Sequence, residues 1–210
     1  MTGALILRDL KRWAGRALWL PIIFFLMKIM LVPFATGPDA VLLERVGPGM
    51  IMIAALLASL LPIDRLVQPD LADGTIDQLL MRGISPEWIG LTKGIAHWLS
   101  FGPPLMVALL PASALLALSG DSVAQIALAL FVATPALAGL TLAIAAIAAT
   151  LERAAALGGL LMLPLAVPVL IFGVSAARGE AGALALLAAV SLFLSVISPF
   201  IVGAALRQRS

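Results

Sequence analysis

The sequence contains no cysteine, a single histidine and few charged residues. The lack of cysteine excludes disulfides, thiol redox chemistry and cysteine-ligated metal sites. Charged residues make up 11% of the chain, whereas soluble domains contain about 25%. So few charges cannot cover the surface of a water-soluble protein of 210 residues, of which 62% are hydrophobic. The excess apolar surface is therefore expected to face lipid.

Several functional motifs are also missing. The chain has no G-x-x-x-x-G-K-[ST] segment, no H-E-x-x-H and no G-x-S-x-G, so it lacks the phosphate cradle, zinc site and nucleophile elbow that these motifs build. The apolar runs carry no Asp or Glu at mid-depth, which argues against a carboxylate proton relay. We therefore expect no enzyme activity and no metal or cofactor site. The net charge of +2 gives no reason to expect nucleic-acid binding.

The apolar residues form six runs of membrane-spanning length. A span needs about 20 residues, because about 30 Å of hydrocarbon is crossed at about 1.5 Å per helical residue. We predict an all-α polytopic membrane protein, a single domain over residues 1–210, with about six transmembrane helices at 17–36, 48–64, 94–118, 122–149, 155–177 and 181–205.

The basic residues predict the orientation. With six spans both termini share one side, and ten of the thirteen Lys and Arg residues fall there. Arg45 and Arg178 lie on the other side and Lys28 within a span. The positive-inside rule then places both termini in the cytoplasm. Residues 1–16 show no short apolar core or cleavage site of a signal peptide.

The segment before the first span is amphipathic. On a helical projection Leu7, Leu10, Trp13 and Ala14 share one side, and Arg8, Lys11, Arg12 and Arg16 gather on the opposite arc. This pattern predicts an interfacial helix over residues 4–16, with Trp13 at headgroup level and the cations against anionic lipid. The alternative is a basic flank of the first span without regular structure.

One long segment, Asp64 to Lys93, separates the second and third spans. Asp73-Gly74 indicates a turn, and Thr75 with Gln78 matches a capping box that opens a helix over 75–82. Gly83 would end this helix. Ser85 and Pro86 predict a second helix that continues into the third span.

The short helix has two possible uses. It could lie flat on lipid, or it could dock into a groove of a cytoplasmic partner. Five acidic residues in the segment oppose close contact with anionic lipid, so docking is favoured; they are Asp64, Asp70, Asp73, Asp77 and Glu87.

Two single residues are further functional candidates. His97 stands at the start of the third span, where a histidine more often packs and donates hydrogen bonds than ligates haem iron. Lys28 lies mid-span, where an ammonium group is costly and marks a functional site, a cation that reaches the interface, or a pair across a helix interface.

Several segments, in order along nearly the whole chain, resemble the membrane subunit of cytochrome c maturation systems, the CcmB or haem exporter protein B family. They are VGPGMIMIAALLASLL (46–61), DRLVQPDLADGTIDQLL (64–80), KGIAHW (93–98), ATPALAG (133–139), LPLAVPVLIFG (163–173) and ISPFIVGAALR (197–207). Asp64 stands where the family tends to have Glu, and Lys28 belongs to no motif of the family.

The resemblance implies an ABC permease with an N-terminal interfacial helix and a cytoplasmic coupling helix between spans 2 and 3. It assigns the ATPase-coupling loop to Asp70, Asp73, Gly74, Thr75, Asp77, Gln78 and Leu79. The implied partners are the ABC ATPase (maturation protein A), membrane proteins C and D, and indirectly the haem chaperone E. The complex would handle haem, and the ATPase subunit would bind ATP.

The implied function is a permease subunit of the bacterial inner membrane that couples ATP hydrolysis by its partner to release of the haem-loaded chaperone. A permease of another ABC exporter, for lipid or drug, and a membrane scaffold without a transport cycle are the alternatives. The sequence leaves open whether haem touches this subunit, the subunit stoichiometry and the substrate path.

Overall fold

The structure, a computed structural model, describes the backbone of residues 2–13, 16–150 and 155–208, and the side chains of these residues except 13, 16–18 and 155–163. Within this part every regular element is an α-helix, which confirms the all-α prediction. In chain order the helices are α1 (Thr2–Trp13), α2 (Arg16–Thr36), α3 (Ala40–Leu60), α4 (Ile63–Leu66), α5 (Gln68–Ala72), α6 (Thr75–Met81), α7 (Pro86–Leu115), α8 (Gly120–Thr150), α9 (Ala155–Ala177) and α10 (Ala183–Arg207).

Five of these helices are long and apolar enough to cross a membrane, judged on the described residues: α2, α3, α7, α8 and α10. The stretch Pro164–Ala177 is a shorter apolar helix, and it belongs to α9, whose backbone helix runs over 23 residues. The chain is therefore a membrane protein with about six transmembrane helices, as its hydropathy predicts.

Two of the long helices begin earlier than the hydropathy predicts. α3 starts at Ala40, because the Asp39 carboxylate accepts hydrogen bonds from the backbone N–H groups of Val41 and Leu42 at 2.9 and 3.3 Å. α7 starts at Pro86 and continues without a break into the third span, as predicted from its cap. Its 30 residues extend about 45 Å, longer than the hydrocarbon thickness.

α8 is the central helix of the bundle. It packs against α7, α9 and α10, and most of its length is buried. Small residues allow this close contact: a Cβ at Gly139 would lie 2.9 Å from Ser198 Oγ and 3.2 Å from the Leu194 carbonyl oxygen of α10. The main hydrophobic core joins α8 to α2, α3, α7, α9 and α10.

A second hydrophobic cluster lies at the end of the bundle that carries α1 and α4–α6, here called the loop end. Its buried members come from the loop helices and from α7, α8 and α10: Leu66, Val67, Ile76, Leu79, Ile84, Ile89, Ala96, Leu142, Ala145, Ala146, Val202, Ala205 and Leu206. Leu5, Ile6 and Leu10 of α1 pack against it. This loop-end cluster ties the short helices to the ends of the long ones.

Candidate functional site at the loop end

The start of α6 differs from the predicted capping box. Gly74, with φ of +72°, is the N-cap residue, and its carbonyl accepts the Gln78 N–H at 3.1 Å. Asp73 Oδ1 accepts the Thr75 N–H at 3.0 Å. The prediction that Thr75 caps the helix and Gln78 reaches back is therefore wrong, because the Asp73 carboxylate lies closer to the first free amide. Hydrogen bonds from Thr75, side chain first and backbone second, lower the pKa of Asp73.

The end of α6 agrees with the prediction. Gly83, with φ of +78°, follows the last turn. The Ile84 N–H donates to the Leu79 carbonyl at 3.2 Å, and the Gly83 N–H donates to the Leu80 carbonyl at 2.9 Å. These two bonds form a Schellman motif, in which the residues on either side of the turn make an apolar contact. Leu79 and Ile84 are both buried in the loop-end cluster, so the motif fixes the direction in which α6 lies.

α6 has one face inside the protein and one outside. Ile76 and Leu79 are buried, with 1% and 8% of their surface exposed, and contribute to the loop-end cluster. The opposite face is exposed and carries Asp77, Gln78, Met81 and Arg82, with Met81 80% exposed. We call these four exposed residues the outer face of α6. A partner can therefore contact α6 through the outer face, while the inner face anchors the helix.

Six charged side chains form an ionic cluster beside α6: Arg8, Asp9, Arg12, Asp70, Asp73 and Lys93. Asp70 of α5 is its centre. One carboxylate oxygen accepts from Arg12, and the other accepts from Arg8 at 3.0 Å and from Lys93. The cluster therefore joins α1, α5 and α7.

Lys93 is held by two carboxylates from different helices. Besides Asp70 it contacts Asp9 of α1 at 3.5 Å, and Arg8 in turn donates to Asp9 at 3.0 and 2.7 Å. Asp9, Asp70 and Lys93 are each 3% exposed. Buried charges persist only where each is paired and hydrogen-bonded. The three cations and three anions balance, so the cluster is stable only while α1, α5 and α7 stay together.

The first turn of α7 is fixed as predicted. Ser85 has extended backbone, and its side chain accepts from the Trp88 N–H at 3.3 Å, with Pro86 at the first helical position. Glu87 forms an ion pair with Arg207 near the end of α10. A Cβ at Gly203 would lie 2.7 Å from Glu87 Oε1, so a side chain at this position of α10 would displace the flexible Glu87 carboxylate.

A groove of about 330 Å³ lies between α7, α8 and α10. Apart from Ser195 and Ser198, the twelve residues that line it are apolar or glycine, with Trp98 and Phe131 the largest. Among the residues that the structure describes, the lining has no histidine, methionine, lysine or arginine. Haem iron is held by side chains such as histidine or methionine, so these lining residues provide neither an iron ligand nor a cation for a propionate.

The comparison with known proteins supports the resemblance seen in the sequence. Residues 1–209 match the protein family described as CcmB protein. The chain belongs to the CcmB family. Heme exporter protein B of Bradyrhizobium diazoefficiens is 43% identical, over 98% of this chain and 97% of the relative. The protein of the same name from Paracoccus denitrificans is 40% identical over 97% of both chains, and that from Escherichia coli K12 is 37% identical over 89% of this chain and 88% of the relative.

The residues that the resemblance assigned to the coupling loop divide into two groups in this CcmB-family chain. Asp73, Asp77 and Gln78 are exposed, and Gly74 and Thr75 are half-buried. Asp70 and Leu79 face inward, one into the ionic cluster and the other into the loop-end cluster. A charge at Leu79 would therefore disrupt the core under α6, so it would not test docking.

Sequence reasoning missed Lys93 and Asp9, and it missed the burial of Asp70. Hydropathy alone indicates that Lys93 is a basic residue next to the third span. Its partner Asp70 stands 23 positions away. One sequence signal was available, an acidic residue at the edge of the basic face of α1. Asp9 stands beside Arg8, and a carboxylate there predicts a partner other than anionic lipid.

α1 is a helix, as predicted, but its faces are used differently in this CcmB-family structure. Leu10 packs inward on the loop-end cluster, whereas Leu7 is 52% exposed. Arg8 and Arg12 bind carboxylates of this chain, and Lys11 remains exposed. Ala14 and the side chains of Trp13 and Arg16 lie outside the described residues. The predicted role of the arginines against lipid is thus replaced by ion pairs.

The two single candidates, His97 and Lys28, lie apart from the outer face of α6. His97 is fully buried in α7, its ring centroid 4.9 Å from that of Phe101. Lys28 is half-buried on α2, with its ammonium nitrogen 5.4 Å from the centre of the Phe24 ring. In the described part of the chain, no three His, Asp or Glu side chains are grouped so that they could hold a metal ion.

Proposed function

We propose that this chain is the membrane permease subunit of an ABC-type haem-export complex for c-type cytochrome maturation. Family membership and relatives named heme exporter protein B support the haem connection. The chain has no phosphate-binding motif of its own. Its part is therefore to couple ATP hydrolysis by a separate ATPase, maturation protein A, to release of the haem-loaded chaperone E with membrane proteins C and D.

The observation that carries the proposal is the construction of α6. Its outer face is exposed, while its inner face is anchored by Ile76 and Leu79 in the loop-end cluster. A force on the outer face would reach Ile89 of α7 and Val202 of α10 through that cluster. Rigid elements that move together transmit such a displacement across a bundle.

The ionic cluster adds a second connection for the same force. α5 immediately precedes α6, and Asp70 of α5 binds Lys93 of α7 and two arginines of α1. A displacement of the loop would therefore move α1 and α7 with it. In this proposal the protein lies in the bacterial inner membrane with both termini, α1 and the loop end in the cytoplasm, as the distribution of basic residues predicts.

The test is co-expression with maturation proteins A, C and D, followed by an assay of nucleotide-dependent release of the loaded chaperone. Met81→Asp and Arg82→Glu change the outer face of α6. Gln68→Glu, an exposed change on α5, is the matched control. We expect the two outer-face variants to bind the ATPase at least about tenfold more weakly, equivalent to about 1.4 kcal/mol, and to lose release.

All three variants should reach the membrane and unfold at the parental temperature, because each replaces an exposed side chain. Normal ATPase binding and chaperone release by both outer-face variants would disprove the docking role. Loss of ATPase binding without any effect on chaperone release would support docking and contradict the haem-specific function, in favour of a permease for another cargo.

A further inference from the structure

The position of Lys28 places a cation deep in the membrane. α2 runs from Arg16 to Thr36, and at about 1.5 Å per residue Lys28 lies about 18 Å from its start and about 12 Å from its end. Its backbone is therefore within the hydrocarbon layer. Lysines near the ends of spans usually extend their ammonium groups to the nearer interface.

The Lys28 side chain does the opposite. Its ammonium nitrogen lies 5.4 Å from the ring centre of Phe24, one turn towards the start of α2 and away from the nearer end. Side chains on a helix point towards its N-terminus, so this direction follows from the backbone. The ammonium group thus lies close to mid-depth. An aromatic ring offsets only part of the cost of a charge at that depth.

α2 also has the surface that a neighbouring helix needs. It packs against α3 and α7 through Phe25, Ile29 and Val32, while the opposite side is exposed. The exposed stripe consists of Trp19, Leu20, Ile23, Met27, Met30, Leu31 and Phe34. At 100° per residue Lys28 lies between the two faces, about 60° beyond Leu31 of the stripe and about 40° from the buried Val32. Among the described residues it takes part in no ion pair.

This chain does not contain a carboxylate that could meet Lys28 at that depth. Its eleven Asp and Glu residues all lie outside the middle of the six apolar runs. Glu44, on the neighbouring α3, stands near the start of its helix, and its carboxylate accepts from Ser119 and Ser122. A second copy of the chain therefore cannot supply the opposite charge.

We propose that the exposed stripe of α2 binds a transmembrane helix of a different protein, and that this helix carries an Asp or Glu at mid-depth that pairs with Lys28. The apolar stripe provides contact area, and the buried ion pair selects the partner and its register. The proposal requires only that α2 crosses a membrane, and it does not depend on ATPase docking.

Dicyclohexylcarbodiimide tests this pairing directly, because it joins a lysine amine to a carboxylate that touches it. Native membranes are treated and the Lys28 peptide is analysed by mass spectrometry. The proposal predicts an amide bond between Lys28 and an Asp or Glu of another membrane protein. The Lys93–Asp70 pair is an internal control. The proposal would be overturned if the Lys93–Asp70 amide forms and Lys28 forms no crosslink. It would also be overturned if Lys28 is crosslinked only to residues of this chain.

A second measurement decides the question independently. A photo-crosslinking amino acid replaces Leu31 on the stripe, and another replaces Phe193, an exposed residue of α10. With Lys28 present, the Leu31 probe should label a protein that has an acidic residue in a membrane span. The same product should form in the Lys28→Arg background. Most of it should be lost in the Lys28→Met background. The Phe193 probe should not respond to either change. Labelling of lipid only, or equal labelling with Lys28→Met, would contradict the proposal.

Discussion

Lys93 joins α7 to the ionic cluster at the loop end. It is the only cation of the ionic cluster that is buried, and it separates the carboxylates of Asp9 and Asp70. Lys93→Met would leave both carboxylates inside without that cation, so we expect a loss of about 3–5 kcal/mol in the free energy of unfolding. Thermal unfolding in detergent measures it, with Lys11→Met, an exposed change, as the control.

The double variant Lys93→Met/Asp70→Asn tests the physical reason for this loss. In Lys93→Met the carboxylates of Asp9 and Asp70 are left close together without the lysine. Because the double variant replaces one of these carboxylates with a neutral amide, it should be more stable than Lys93→Met alone. Equal stability of Lys93→Met and Lys11→Met would show that the ion pairs of Lys93 contribute nothing to the fold.

Gly74 is a second residue with a specific backbone role. With φ at +72° and no atom within 4 Å of an added Cβ, a side chain there meets backbone strain only. Gly74→Ala should cost about 1 kcal/mol, and Gly74→Asn less, since asparagine tolerates this conformation. Urea or thermal unfolding of the pair checks the order. A Gly74→Ala protein as stable as the parent would contradict the assigned turn.

At the scale of the helices, the same Gly→Ala substitution should have opposite effects on stability in α8 and in α3. A Cβ at Gly139 of α8 would lie 2.9 Å from Ser198 Oγ, whereas at Gly49 of α3 it would meet nothing within 4 Å. Gly139→Ala should destabilise by about 1–3 kcal/mol because it separates α8 from α10. Gly49→Ala should stabilise by up to about 1 kcal/mol, because alanine has the higher helix propensity. Unfolding temperatures of the two variants decide the point.

The elements also show which features a sequence can reveal. The start of α7 and the end of α6 were predictable because Ser85, Pro86 and Gly83 act on their immediate neighbours. The cap of α6 was mispredicted because two local acceptors, Asp73 and Thr75, compete within three residues. The ionic cluster was not predictable because Lys93 and Asp9 meet across 84 positions, and hydropathy carries no information on such contacts.

At the scale of the whole molecule, the six runs predict which side each loop occupies. The chain has no cysteine, so single cysteines can be introduced at the exposed residues Asp77, Asp121 and Gln208 and labelled with a membrane-impermeant maleimide. Asp77→Cys and Gln208→Cys should label from one side, and Asp121→Cys from the other. If Gln208→Cys is instead labelled from the same side as Asp121→Cys, α9 does not cross the membrane.

The central claim is that the outer face of α6 is the ATPase docking surface. It is tested most directly by a single cysteine at Met81, which is 80% exposed, with Gln68→Cys on α5 as the matched control. Maleimide labelling is measured on purified complexes with and without the ATPase subunit. The proposed docking predicts that bound ATPase protects Met81→Cys and leaves Gln68→Cys reactive. Equal labelling of Met81→Cys with and without bound ATPase would contradict it.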